Sequence, residues 1–259
     1  MLRPRVIPCL LVKGGGLIKT TRFAAPKYVG DPINAVRIFN EKEVDELIVL
    51  DIDATVRGRE PDYTMIRNLA AECRMPLCYG GGVKTVEQAA KIVGMGVEKV
   101  AVSSAAVEDP DLIGSMARVV GGQSVVVVID VRRGSRDAYD VWTHNGTRRA
   151  GREAARLARA MERQGAGEIV VNSIDNDGMM KGYDLELVSA VRNEVSLPLT
   201  ALGGVGSLAH VRALVDRFGL IGAAAGSLFV FKGVYRAVLI NYPSRAEKDA
   251  LVVRGTETP

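Results

Sequence analysis

The chain has 259 residues, 47% of them hydrophobic, with no low-complexity tract; it can bury a sizeable core as one domain over residues 1–259, and a disordered chain is excluded. Its 34 basic and 30 acidic residues leave a net charge of +4. That charge is spread along the chain without a basic stripe or aromatic runs, so nucleic acid is not the expected partner and a pocket for a small anion suits the balance better.

Cys9, Cys73 and Cys78 lack zinc-type spacing, and no signal peptide or apolar run of membrane length opens the chain. A cytoplasmic protein with reduced thiols is expected, with no metal, no cofactor and no membrane partner. Cys9 and Cys78 stand in strand-like apolar runs and are read as core residues rather than nucleophiles.

The first strand is predicted over residues 5–12, with local irregularity at Pro8, which cannot donate to a ladder. Residues 13–30 follow as a long loop. Its glycines 14–16 and its bases Lys13, Lys19 and Arg22 suit either a mobile lid over an anion or a solvated excursion. Asp31-Pro32 starts a helix to about Asn40. Then come a strand at 46–52, a helix at 62–72 and a strand at 77–79. Thr85 and Gln88 have capping-box spacing, which starts a helix just after Gly80-Gly81-Gly82.

A fourth strand, 99–102, ends at Ser103-Ser104, and Asp109-Pro110 opens the next helix. The fifth strand, 124–130, is continuously apolar, as a parallel strand covered on both faces should be, and finishes on Asp130. Asn145-Gly146 then predicts a small β-hairpin, with Trp142 as a packing residue of it. A helix at 152–164, a strand at 168–173, a helix after Asp184, a strand at 199–202, a helix from near Ser207 and a strand at 222–225 follow. A last helix is placed near 234–241, before a frayed tail. Eight strand–helix alternations in this length predict an α/β fold, a closed (β/α)8 TIM barrel, whose chemistry lies at the C-terminal ends of its strands.

The chain also repeats itself. PLCYGGGVKT from Pro76 returns as PLTALGGVGS from Pro198, 122 residues later, and the same shift turns ELIVLDID at Glu46 into EIVVNSID at Glu168. AVSS at Ala101 returns as AAGS at Ala224 after a one-residue insertion. As barrel loops, Gly81-Gly82 with Ser103-Ser104, and Gly203-Gly204 with Gly226-Ser227, become two anion clamps, glycine letting the backbone approach and helix N–H groups supplying donors. Paired glycines beside a helix start also serve as plain tight turns.

Between the clamps stand strand-end carboxylates: Asp51, Asp53, Asp130, Asp175 and Asp177. Asp130, after an apolar run that tends to raise a carboxyl pKa, is the candidate general acid or base. Asp51 and Asp175 can equally cap their own loops. With only His144 and His210 in the chain, a histidine base is not expected.

Over nearly its whole length the chain resembles the cyclase subunit of imidazole glycerol phosphate synthase. The carriers are PCL at 8–10, Lys19, LDI at 50–52, GGGV, AVSSAAVEDP, IDVRR, SIDNDG, GGVGS and AAGSLF. The resemblance implies a substrate with two phosphates, ammonia from a separate glutaminase, and phosphate or substrate contacts from Lys19, Asp51, Gly82, Ser103, Ser104, Asp177, Gly178, Gly204, Gly226 and Ser227. Two aspartates carry the chemistry in that family. Asp130 matches one; Leu11 stands where the other is expected, and leucine cannot transfer a proton. The first-loop and tail segments look like a branch of the family associated with acetamidino sugars of surface polysaccharides, in which ammonia goes on to a third, sugar-modifying enzyme.

Arg5, Glu46, Lys99 and Glu168 each open a strand and should meet as a ring at the bottom of the barrel. The resemblance makes that ring an ammonia gate, on the face where a glutaminase docks. Taken as exposed, the ring should lose only about 0–1 kcal/mol per missing member. No glutaminase set of Cys, His and Glu is recognisable in the chain. Three functions remain open: an ammonia-channelling subunit serving an activated sugar, a true imidazole glycerol phosphate synthase cyclase subunit, and a non-catalytic conduit for the glutaminase.

Overall fold

The computed structural model describes residues 3–135 and 138–251. From the N-terminus, β1 (Arg5–Lys13) runs into an antiparallel hairpin, β2 (Gly16–Thr21) and β3 (Ala24–Gly30), and then α1 (Pro32–Glu41). The chain continues through β4 (Leu47–Asp51), α2 (Tyr63–Glu72), β5 (Leu77–Gly80), α3 (Val86–Val93), β6 (Lys99–Val102), α4 (Ser104–Glu108) and α5 (Asp111–Val120). Next, β7 (Val125–Arg133) leads to a second hairpin, β8 (Tyr139–Thr143) and β9 (Arg148–Glu153), and to α6 (Ala154–Arg163). Then come β10 (Glu168–Ser173), α7 (Leu185–Arg192), β11 (Leu199–Leu202), α8 (Leu208–Phe218), β12 (Gly222–Ala225) and α9 (Ser227–Val230). A short hairpin, β13 (Phe231–Lys232) and β14 (Ala237–Val238), and α10 (Arg245–Leu251) complete the described chain.

Eight of these strands pair in parallel in the order β1-β4-β5-β6-β7-β10-β11-β12, and β12 returns to β1, which closes the barrel. The helices form where the sequence supplies caps. Asp31 accepts from Asn34 N–H at 2.8 Å with Pro32 at the start of α1, and Thr85 and Gln88 cap α3 reciprocally. Outward residues of the strands pack under the helices; inward ones, including Ile7, Cys9, Ile48, Cys78, Val128 and Val170, fill the barrel. Among the described residues no helix is long and apolar enough to cross a membrane.

Three expectations are corrected. The segment after the first strand is not a loop: β2 pairs with β1, carrying Lys19 and Thr20 to the barrel mouth, and β3 pairs with β2. Pro8 causes no break, since β1 runs continuously and Pro8 is in register with Ala225. The last helix lies at Arg245–Leu251 rather than near 234–241, because Gly233 and Arg236 adopt positive φ and turn that stretch into the hairpin β13–β14.

Candidate functional site

Inward side chains alternate along each strand, so β1 presents Arg5, Ile7, Cys9 and Leu11 in ascending order from the barrel bottom to its mouth. At the bottom Arg5 joins Glu46 and Glu168, the latter at 2.7 Å, while Lys99 Nζ reaches Glu46 at 2.7 Å and Glu168 at 2.9 Å. The four charges alternate in a closed ring. Thr200 supports it, its hydroxyl donating to Glu168 at 2.5 Å.

The two carboxylates of this ring are buried, which corrects the solvated picture: Glu46 and Glu168 are only 3% and 4% exposed, while the Arg5 and Lys99 side chains that cover them are half-buried. Removing a member here strands a buried charge, at about 3–5 kcal/mol rather than the small cost of an exposed pair. Burial opposes the charge on Arg5, but the hydrogen bonds and charges of Glu168 and Glu46 outweigh it and hold its pKa above the ordinary value. Burial likewise favours neutral Glu168, yet Arg5, then Lys99 and Thr200, hold its carboxyl below the usual range.

Above the ring the interior is neutral. Burial pushes the Cys9 thiol up to about 12 and the Cys78 thiol well above its ordinary value, so both are protonated core groups. At the mouth a cavity of about 150 Å3 opens, with Leu11, Leu50 and Val128 in its apolar part and Asp130, Asn172, Lys19 and Asp177 in its polar part. Asp130 takes a hydrogen bond from Asn172 Nδ2 at 2.9 Å. Burial, with the charge of Asp177 adding, pushes the Asp130 carboxyl up to about 7, against the lowering effect of hydrogen bonds from Asn172 and Ser103. A carboxyl poised there can give or take a proton near neutral pH.

The repeated turns have matching geometry. Gly81 and Gly203 have φ of 124° and 97°, and Gly82 and Gly204 have 73° and 98°. A Cβ on Gly81 would lie 2.4 Å from the Asp51 carbonyl oxygen and one on Gly203 2.6 Å from that of Ser173, the position related to Asp51 by the repeat. Thr85 and Ser207, also repeat mates, cap the helices that follow. Gly82, Ser103 and Ser104 line the main cavity; Gly178, Gly204, Gly226 and Ser227 line a crevice of about 20 Å3, room for one small group. Lys19 and Asp177 belong to both spaces, their charged atoms 3.9 Å apart. Asp177 also accepts from the Thr20 hydroxyl at 2.6 Å and Phe23 N–H at 3.1 Å, which ties the first hairpin to the mouth.

Residues 5–236 match the family described as "Histidine biosynthesis protein". A protein of Leptospira borgpetersenii named "Putative imidazole glycerol phosphate synthase subunit HisF" is 54% identical over 252 residues, 97% of this chain and 99% of that protein. The chain belongs to the HisF-like family of imidazole glycerol phosphate synthase subunits. Relatives named "Imidazole glycerol phosphate synthase subunit HisF" stand further off: that of Exiguobacterium sibiricum is 40% identical over 229 residues, 88% of this chain and 91% of the protein. The one from Streptomyces coelicolor is 41% identical over 230 residues, 89% and 91% of the two chains.

Within this HisF-like barrel the remaining acids have local duties. Asp51 lines the cavity, but its Oδ1 accepts from Asp53 and Ala54 N–H at 3.0 and 3.2 Å; burial raises its pKa against those bonds. Asp175 accepts from Arg133 N–H at 2.8 Å and lines neither space. Sequence reasoning missed Thr20, Asn145, Asn172 and Thr200, and set His144 aside as a base although it lines the cavity. For Asn172 and Thr200 a signal existed: each stands an even number of residues along its strand from an inward-facing neighbour.

Proposed function

We propose that this HisF-like chain is an ammonia-receiving synthase subunit. A separate glutaminase docks at the face of the Arg5–Glu46–Lys99–Glu168 ring, ammonia crosses the neutral interior, and a ligand with two phosphates is held between Gly82 with Ser103 and Ser104 and Gly204 with Gly226 and Ser227. Lys19, Asp51, Asp177 and Gly178 complete the ligand site, and Asp130 is its catalytic carboxyl. The ammonia serves amidation of an activated sugar of a surface polysaccharide on a third enzyme.

One observation carries this reading: Asp130 stands in the cavity with Leu11, a side chain that can move no proton, on the strand across the barrel. A neutral interior suits ammonia and disfavours ammonium, whose charge is costly to desolvate. A second reading, the cyclase subunit of histidine biosynthesis, is favoured by Asp130 and both clamps being in place. A pure conduit is favoured by Leu11 alone.

The test mixes the chain with a glutaminase subunit of the same synthase family and follows glutamine hydrolysis. A complex and faster hydrolysis support the proposal, and loss of that stimulation in Arg5→Met assigns the ring face. Neither a complex nor any change in hydrolysis contradicts it. Neighbouring sugar-nucleotide genes favour the sugar acceptor; neighbouring histidine genes favour the second reading.

A further inference from the structure

The hairpin β8–β9 folds back over the first glycine–serine turn, and His144 stands at its tip. Its backbone N–H donates to Ser104 Oγ at 3.2 Å, Asn145 Nδ2 donates to the Ile52 carbonyl at 2.7 Å, and Arg132 holds the Gly146 carbonyl at 3.3 Å. His144 and Asn145 both adopt left-handed backbone, at φ 53° and 56°. Successive left-handed residues are what a tight hairpin turn requires, and asparagine adopts that backbone readily. The three bonds fix the tip against the wall formed by Gly82, Lys84, Ser104 and Glu108.

The imidazole is 14% exposed and lies among charges of both signs. Its Nε2 is 3.2 Å from Arg148 Nη1 on β9, and guanidinium can only donate, so Nε2 accepts. Nδ1 then carries the proton, toward Thr143 Oγ1 on β8 at 3.1 Å. Glu108 at the end of α4 approaches Nε2 at 3.9 Å, Lys84 precedes α3, and Asp130 on β7 lies in the same cavity. Partial burial, then Arg148 and Lys84, hold the imidazole below its ordinary pKa, while Glu108 opposes them. The contact with Arg148 therefore favours the neutral ring.

We propose that His144 is an anion-binding residue of the first clamp: a phosphate-like dianion entering between Gly82 and Ser104 draws a proton from solvent onto the imidazole, which becomes a donor to it. The inference rests on the proposed use of that turn as an anion clamp. The second crevice has no counterpart, since no histidine lines it and His210 Nδ1 is engaged by the Gly206 N–H at 3.2 Å. The two ends of the ligand are therefore held differently, and only the first tightens with protonation. Affinity there is flat above the bound-state pKa of His144, rises as pH falls between the bound and free values, and levels off below.

The chain has two histidines, so each ring can be followed by NMR through a pH titration. Sulfate is the probe, because it stays a dianion throughout the imidazole range. His144→Asn assigns the signal, asparagine being a side chain that tolerates left-handed backbone. Saturating sulfate should raise the His144 midpoint by about one unit or more, equivalent to roughly tenfold tighter binding on the acid side, and leave His210 unmoved. In His144→Asn, sulfate affinity should be nearly the same at both ends of the range. Sulfate binding by calorimetry with an unmoved His144 midpoint overturns the role of His144 and leaves the clamp standing. Absence of sulfate binding in both proteins overturns the clamp and this inference together.

Discussion

Leu11 and Asp130 stand on strands on opposite sides of the eight-stranded barrel and line one cavity, so a single carboxyl stands where the resemblance implies a pair. The Asp130 carboxyl is raised from an ordinary 3.8 to about 7, chiefly by burial. A raised acid weakens the fold once the unfolded chain has given up its proton and the folded one must follow. Its penalty is absent below about pH 4 and grows as pH rises to about 7. Asp130→Asn should therefore be more stable than the parent at pH 8 by about 2–4 kcal/mol, the gap closing toward pH 4. Urea unfolding across that range checks it; parallel curves would show an Asp130 with an ordinary pKa.

The two clamps should fail independently. A Cβ at Gly82 would lie 2.7 Å from the Arg59 carbonyl oxygen, and one at Gly204 2.2 Å from that of Gly182, both at positive φ. Gly82→Ala should weaken anion binding at the first clamp alone and Gly204→Ala at the second alone, each with about 1–3 kcal/mol of lost stability. Crystals of each variant grown in sulfate give the readout. Density undiminished at the altered turn would mean that these glycines only make turns.

The buried ring sets a different scale. Lys99→Met leaves Glu46 and Glu168 with Arg5 as their one cation and should cost about 3–5 kcal/mol at pH 7.5. Glu168, held low by its partners, contributes stability above its unfolded pKa of about 4.3 and loses it as pH falls through the lower folded value. In the variant Glu168 protonates more readily, so the gap to the parent should narrow toward pH 5. A gap under about 1 kcal/mol at both pH values would mark the ring as ordinary surface charge.

The barrel itself was legible because strand periodicity, helix caps and a repeat of 122 residues all pointed to the same closed sheet. The residues the repeat singled out, Gly82, Ser104, Gly204 and Ser227, do line the two spaces at the mouth. The β1–β2 turn did carry a signal, Gly14-Gly15 at φ 57° and 80°, whereas the β2–β3 turn was hidden because it uses Arg22 and Phe23 at φ 53° and 62°, with no Asn-Gly or Gly pair. The hairpin near the end was masked by apolar residues spaced as in a helix, such as Val234, Val238 and Leu239. His144 was hidden for a tertiary reason: its place in the cavity depends on β8–β9 folding back to Ser104.

The most direct measurement is steady-state turnover of the imidazole glycerol phosphate synthase substrate with ammonium as the nitrogen source, on the parent chain and on Leu11→Asp. Loss of a general acid or base typically costs on the order of 10²–10⁴-fold. The parent should therefore turn over very slowly, and Leu11→Asp should recover part of that factor. Parent turnover at ordinary enzymatic rates, roughly 1–10³ per second, would contradict the account and identify the chain as a working cyclase.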